Sequence, residues 1–149
     1  MNRAITFMKK AQVVERKINA MLVKVELCKS MTQRITASIG GERVSHTRNV
    51  TANEDAVIRL AEAHDKLEQL NLEYEQAVEE ITEVISQIES AEQQTILLDY
   101  YLKHCDFDQI ADKMGVGRTM VYDNHKAALI EVEKVLTSDS WQTNSETIC

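Results

Sequence analysis

Two long stretches of the chain repeat apolar residues at alternating steps of three and four. The first stripe, within about residues 4–37, consists of Phe7, Ala11, Val14, Ile18, Met21, Val25, Cys28, Thr32 and Ile35. The second consists of Leu60, Ala63, Leu67, Leu70, Tyr74, Ala77, Ile81, Val84 and Ile88. This spacing places the members of each stripe on one face of an α-helix, as in a coiled-coil seam. We therefore predict two long amphipathic helices.

The polar segment between the stripes contains paired glycines and predicts a loop near residues 38–52. The second helix is expected to begin near Thr51, which forms a capping-box pattern with Glu54. Residues 1–50 contain ten Lys and Arg against three Glu, whereas residues 51–89 contain two basic residues against eleven acidic ones. These opposite charges favour an antiparallel hairpin over residues 1–89. Pairing between two copies would satisfy the same stripes, so the sequence leaves both arrangements open.

Residues 107–126 have the spacing of two helices that cross through a tight turn. Ala111 is small where the helices would approach each other, and Gly115 tolerates the positive φ of the turn. The apolar residues expected between the helices are Ile110, Met114, Val116 and Val121. Asn124 lies where a further apolar residue usually completes the core, so either the helix rolls or the amide needs a partner. The pattern predicts a helix-turn-helix, with its second helix available for a DNA groove.

The candidate DNA contacts are polar residues of this second helix and of the supporting segments. They are Arg118, Thr119, Tyr122, Asp123 and Lys126, together with Lys103 and Lys113. Arg118 can reach a guanine edge or a phosphate, and Lys126 a phosphate. Asp123 would repel phosphate but could accept a hydrogen bond from a cytosine amino group. Residues 90–136 hold five basic residues against eight acidic ones, so we expect modest affinity unless dimerisation or a partner protein assists.

The run from Ser90 to Leu136, SAEQQTILLDYYLKHCDFDQIADKMGVGRTMVYDNHKAALIEVEKVL, resembles region 4 of sigma-70-type factors. The resemblance lies in the "YYL" segment, the helix-turn-helix and the "KAL" continuation. With long amphipathic helices before it, the chain is most similar to phage-encoded regulators of the ArpU and RinA type. This resemblance covers about a third of the chain in detail and the rest only in architecture. It implies control of late phage genes through promoter DNA, with RNA polymerase as a further partner, in the cytoplasm of a bacterial host.

Composition argues against several other classes of protein. The chain has no proline, which permits very long helices, and it has no apolar run long enough to span a membrane. Its three cysteines, Cys28, Cys105 and Cys149, are widely spaced and are expected to be reduced thiols. We find no phosphate-binding glycine loop, metal-ligand cluster or nucleophile motif. We therefore expect no enzyme activity, no metal and no cofactor.

The sequence as a whole predicts an all-α protein with three regions. Residues 1–89 form the helical hairpin, residues 90–136 a three-helix unit like sigma region 4, and residues 137–149 a flexible tail. The predicted function is transcription regulation in a phage or prophage through double-stranded DNA, with a homodimer as an attractive arrangement. One alternative is a small-terminase-like subunit for DNA packaging. The other is a module that binds RNA polymerase without reading DNA.

Overall fold

The structure is a computed structural model, and it describes residues 2–39 and 46–138. The described residues are mostly helical and contain no strand, which confirms the all-α prediction. The helices are α1 (Asn2–Met8), α2 (Lys10–Ile39), α3 (His46–Ser86), α4 (Ala91–Leu97), α5 (Phe107–Met114) and α6 (Arg118–Thr137). A π-helical turn, Leu98–Leu102, directly follows α4.

The chain divides into two compact units. The hairpin unit is Val14–Tyr74, and the helix-turn-helix unit combines Met1–Val13 with Glu75–Cys149. The predicted regions divide the chain at residue 89, and those boundaries remain a prediction. By its contacts, the helix-turn-helix unit also includes the first residues of the chain and the last turns of α3.

The hairpin unit follows the two predicted seams. Every predicted seam residue between positions 14 and 74 is buried or half-buried, and the most buried are Val25, Ala63 and Leu70. A groove near one end is lined by Cys28, Met31 and Ile35 of α2 and by Ala52, Asp55, Ala56 and Arg59 of α3. The late part of α2 therefore lies beside the early part of α3, as an antiparallel hairpin requires. His64 and Asn71, which flank the second seam, are exposed.

The predicted start of the second helix is wrong. α3 begins at His46, five residues before the capping-box pattern at Thr51, and residues 46–52 of the predicted loop are helical. Between His46 and Thr51 there is no glycine or proline to interrupt the helix, so helical hydrogen bonding extends backward past the local capping signal. Residues 38 and 39 of the predicted loop are also helical, since they end α2. Residues 40–45 and the tail from residue 139 lie outside the described residues.

The helix-turn-helix unit uses the N-terminal helix as part of its core. Ala4, Met8 and Ala11 are buried, and α1 packs on α6. The backbone N–H of Ala4 donates to the carboxylate of Glu133 at 2.9 Å, which fixes the start of α1 against α6. An ion pair between Lys10 and Glu80 at 2.5 Å joins the start of α2 to the end of α3. Contacts between residues far apart in sequence therefore hold the first residues of the chain against α6 and against the end of α3.

Candidate functional site

The predicted turn between α5 and α6 is present. Asp106 caps α5 by accepting from the backbone N–H of Gln109 at 2.8 Å, and the Gln109 side chain accepts from the Asp106 N–H at 2.9 Å. The helix ends at Gly115, whose φ of 70° is left-handed. Val116 N–H then donates to the Ala111 carbonyl and Gly115 N–H to the Asp112 carbonyl. This paired bonding is a Schellman motif, which stops α5 sharply, and α6 starts at Arg118, three residues after Gly115.

The space between α5 and α6 is filled as the sequence predicts. Ile110, Ala111 and Val121 form one buried cluster with Ile96 of α4. Met114 and Val116 are partly buried against this cluster. Asn124 lies where an apolar residue is expected, and its side-chain amide has a hydrogen-bond partner within α6, because it donates to the Met120 carbonyl at 3.0 Å. The crossing of the two helices is therefore fixed by close packing.

A buried carboxylate that the sequence reasoning missed supports this crossing. Asp99 lies in the π-helical turn with only 2 % of its surface exposed. The ammonium group of Lys113, at the end of α5, lies 3.2 and 3.3 Å from its two carboxylate oxygens. The Lys103 ammonium lies 3.9 Å from one of the same two oxygens. A buried charge needs such partners, so Asp99 holds α5 to the preceding segment.

The π-helical turn is what places Asp99 and its neighbours. Lys103 N–H donates to the Leu98 carbonyl, five residues back, at 3.1 Å. His104 then adopts a left-handed φ of 59°, and Cys105 N–H donates to the Asp99 carbonyl at 2.9 Å. These bonds end the helix and lead the chain into the cap of α5. Because π-turns depend on tertiary packing, the apolar pattern alone does not reveal one.

Aromatic side chains connect the π-helical turn to α6. The hydroxyl oxygen of Tyr101 lies 2.9 Å from Nε2 of His125. Tyr100 stacks on Phe107 with ring centres 4.8 Å apart, and the His125 ring lies 5.0 Å from Tyr100 and 5.2 Å from Phe107. Burial lowers the pKa of His125 and, with a smaller contribution from Tyr100, raises the pKa of Tyr101 to about 12. Both groups are therefore held neutral, and the phenol can donate to the imidazole.

The structure brings five of the predicted DNA contacts to one exposed face of α6. We call this face the recognition face, and its residues are Arg118, Thr119, Tyr122, Asp123 and Lys126, all exposed. Val121 and Ala128 point into the core from the opposite side of the same helix. The other two predicted contacts, Lys103 and Lys113, are exposed at their ends but lie beside Asp99, which balances part of their charge.

Two contacts shape the recognition face in the free protein. The Arg118 Nε atom lies 3.5 Å from a carboxylate oxygen of Asp108, and both side chains are about two-thirds exposed. The Lys126 ammonium lies over the Tyr122 ring, 4.5 Å from its centre. The N-cap of α6, Gly117, provides no side-chain acceptor for the first amides of the helix. Arg118 and the helix start can therefore receive an anion once Asp108 is displaced.

Residues 2–39 and 46–138 contain no group of three or more His, Cys, Asp or Glu side chains that could hold a metal ion. None of the described helices is long and apolar enough to cross a membrane. Cys28 and Cys105 carry free thiols, whereas Cys149 lies outside the described residues.

Comparison with known proteins identifies a family for most of the chain. The sequence model of the family DUF1492, which is described as a protein of unknown function, matches residues 39–133 of this chain. No curated protein and no solved structure matches the chain. The matched segment contains α3, α4, α5 and most of α6, and so includes the recognition face.

Proposed function

We propose that this chain, which belongs to the DUF1492 family, is a DNA-binding transcription regulator that places the recognition face of α6 in a DNA groove. The observation that carries the proposal is the placement of polar residues on the first turns of α6. Arg118, Tyr122 and Lys126 are spaced four residues apart on an exposed face, while the turn before them is rigidly closed. A rigid support is what a recognition helix needs, because base contacts depend on accurate placement.

Each residue of the recognition face has a role in this proposal. Arg118 donates to a guanine edge, a contact worth about 1–3 kcal/mol of discrimination against other bases. Lys126 donates to a phosphate, and Thr119 or Tyr122 to a base or backbone oxygen. Asp123 repels a phosphate that approaches its own position, and it therefore restricts the orientation of α6 in the DNA groove. The uncapped start of α6 adds backbone N–H donors for a phosphate.

The acidic balance of the unit limits the strength of this binding. Residues 90–136 hold eight acidic residues against five basic ones, and Asp99 already engages two of the lysines. Long-range attraction to DNA is therefore weak, and affinity depends on the local contacts of α6. The resemblance to sigma region 4 supports promoter DNA of a phage or prophage as the target.

A selection experiment tests the proposal. The wild-type protein is incubated with a pool of random-sequence duplexes, and retained DNA is amplified and sequenced over several rounds. We expect a short enriched motif, and we expect Arg118→Ala to lose preference at one or two of its positions. Lys134→Ala, an exposed change further along α6, is the matched control and should enrich the wild-type motif. Failure of the wild-type protein to enrich any sequence would refute the proposal.

A second candidate function is binding to RNA polymerase without reading DNA. Exposed apolar side chains on α6, Met120 and Ile130, together with the acidic balance of the unit, favour a protein partner. The two candidates separate in one experiment, in which the tagged protein is mixed with purified bacterial RNA polymerase or with duplex DNA. Retention of polymerase with no enrichment of DNA would favour this second function.

A further inference from the structure

The hairpin unit has a second apolar stripe on α2, outside the seam. Ala20, Val23 and Leu27 follow one another at steps of three and four and are all exposed, and Met31 continues this stripe at the edge of the groove beside α3. Val23 and Leu27 are 62 % and 60 % exposed. The exposed basic residues beside this stripe are Arg16, Lys17, Lys24 and Arg34. This surface, which we call the basic face, combines apolar contact area with positive charge.

α3 has a corresponding surface of the opposite charge. Val57, Ile58, Ala61 and Leu72 are exposed on the side of the helix away from the seam. Glu54, Asp65 and Glu68 are exposed at helical spacing among them. We call this surface the acidic face. A helical hairpin with only two helices buries one stripe of each, so both faces are left without a covering element within the described part of the hairpin unit.

The two faces also match in position along the hairpin. Met31 and Ala56 line the same groove, so they stand at the same level of the antiparallel pair. Counting from that level with the same rise in both helices, Arg34 is level with Glu54 and Lys24 lies within one turn of Asp65. Continuing in the same direction places Arg16 near the level of Leu72 and Glu68. Opposite charges therefore recur at matched heights on the two faces, and no ion pair joins them within the described part of the hairpin unit.

We propose that the chain associates with a second copy of itself by packing the basic face of α2 against the acidic face of the other copy's α3. The antiparallel register of the hairpin is repeated between the copies, which aligns the apolar stripes and pairs the flanking charges. The two faces are different surfaces, so the contact is made by one face of each kind. Charge complementarity selects a second copy, because two basic faces would repel each other.

Charge reversal tests this pairing. One variant carries Arg16→Glu and Lys24→Glu on the basic face, and the other carries Asp65→Lys and Glu68→Lys on the acidic face. All four positions are exposed, so the fold should survive, and circular dichroism verifies this. Mass is measured by sedimentation velocity and light scattering on the full chain without DNA. We expect the wild type to be a multiple of the chain mass and each variant alone to be a single chain.

An equimolar mixture of the two variants gives the decisive result. The native faces of the two variants remain complementary, and the reversed faces are complementary to each other, so association should return in the mixture. Val23→Asp is a second probe and should weaken association of the wild-type sequence without unfolding it. Lys29→Glu, on another side of α2, is the control and should leave the mass unchanged.

The proposal is overturned by any of three outcomes. They are a wild type that sediments as a single chain at tens of micromolar, variants that keep the wild-type mass, and a mixture that stays dissociated. A single-chain wild type whose DNA affinity falls on Arg16→Glu and Lys24→Glu would assign the basic face to nucleic acid instead. Because the mass measurement contains no DNA, its result is independent of the proposed function.

Discussion

At the scale of single residues, the recognition face is partly occupied by the protein itself. Arg118 pairs with Asp108 across the turn, and Lys126 rests on the Tyr122 ring. An exposed ion pair contributes about 0–1 kcal/mol to stability, so Asp108 costs the fold little if it is lost. Its larger effect is on the proposed DNA binding, because a phosphate or base would have to compete with Asp108 for the guanidinium group.

Replacing Asp108 by Asn should therefore raise DNA affinity without changing the melting temperature appreciably. Asp112→Asn is the matched control, since it removes the same charge from an exposed position of α5 but not a partner of Arg118. We expect a larger increase for Asp108→Asn when both are titrated into a labelled duplex. If the two substitutions raise affinity equally, the effect is one of net charge and Arg118 is not being released.

Burial of His125 predicts a loss of stability in acid. Its pKa is lowered in the folded protein, whereas the unfolded chain has the ordinary value of about 6.5. The contribution of neutral His125 to the free energy of unfolding is therefore fully present above about pH 6.5. It falls as the pH drops from there toward the lowered pKa, because the unfolded state binds the proton more readily. Urea midpoints at pH 7.5 and 5.5 measure this loss.

The glutamine variant shows whether His125 is responsible for that loss. His125→Gln cannot titrate, so its midpoint should change less between the two pH values than the wild-type midpoint does. An identical change in both proteins would mean that acid acts through carboxylates elsewhere in the fold.

At the scale of the elements, the turn between α5 and α6 was predictable because its chemistry is local. Glycine at the left-handed position and a small residue four positions earlier fix the crossing. The seams were predictable for the same reason, since helical periodicity shows which face is buried. The start of α3 was not, because a capping pattern at Thr51 indicates where a helix can begin but does not prevent it from beginning earlier.

The sequence did not predict which residues on different elements contact each other. The predicted stripe includes only Phe7 of α1, and it does not show that Ala4 and Met8 are buried or that α6 covers α1, with Ala4 bonded to Glu133. Asp99 resembles a surface residue because Lys103 follows it by one helical turn, whereas its closer partner, Lys113, is on another helix. Nothing in the sequence around His125 predicts its hydrogen bond to Tyr101. These contacts depend on the tertiary arrangement of α1, the π-helical turn, α5 and α6.

The turn itself gives a prediction for stability. Gly115→Ala should destabilise the protein by about 1–2 kcal/mol, because alanine pays the steric cost of a left-handed φ. No atom lies within 4 Å of the added methyl position, so the cost is one of backbone conformation alone. Gly117→Ala is the control, since that position is also open but has a φ of −78°. Urea unfolding should leave Gly117→Ala within about 0.5 kcal/mol of the wild type. Equal losses for both would contradict this explanation of the turn.

At the scale of the whole molecule, charge limits the ways in which the proposed DNA binding can occur. The chain has a formal net charge of −7 at pH 7, so it does not attract DNA over long distances. Binding then depends on a few cations in defined places, and each should account for a measurable share of the salt dependence. A protein that bound through a diffuse basic surface would instead lose little from any single substitution.

The most direct test of the central claim is fluorescence anisotropy with the duplex that the wild-type protein enriches, at several salt concentrations. Lys126→Ala is compared with Lys134→Ala, since both lysines are exposed on α6 but only Lys126 lies on the recognition face. We predict that Lys126→Ala lowers the slope of log affinity against log salt by about one, because one phosphate contact is lost. Lys134→Ala should retain the wild-type slope. An unchanged slope for Lys126→Ala, with its helical content intact, would contradict the placement of α6 against DNA.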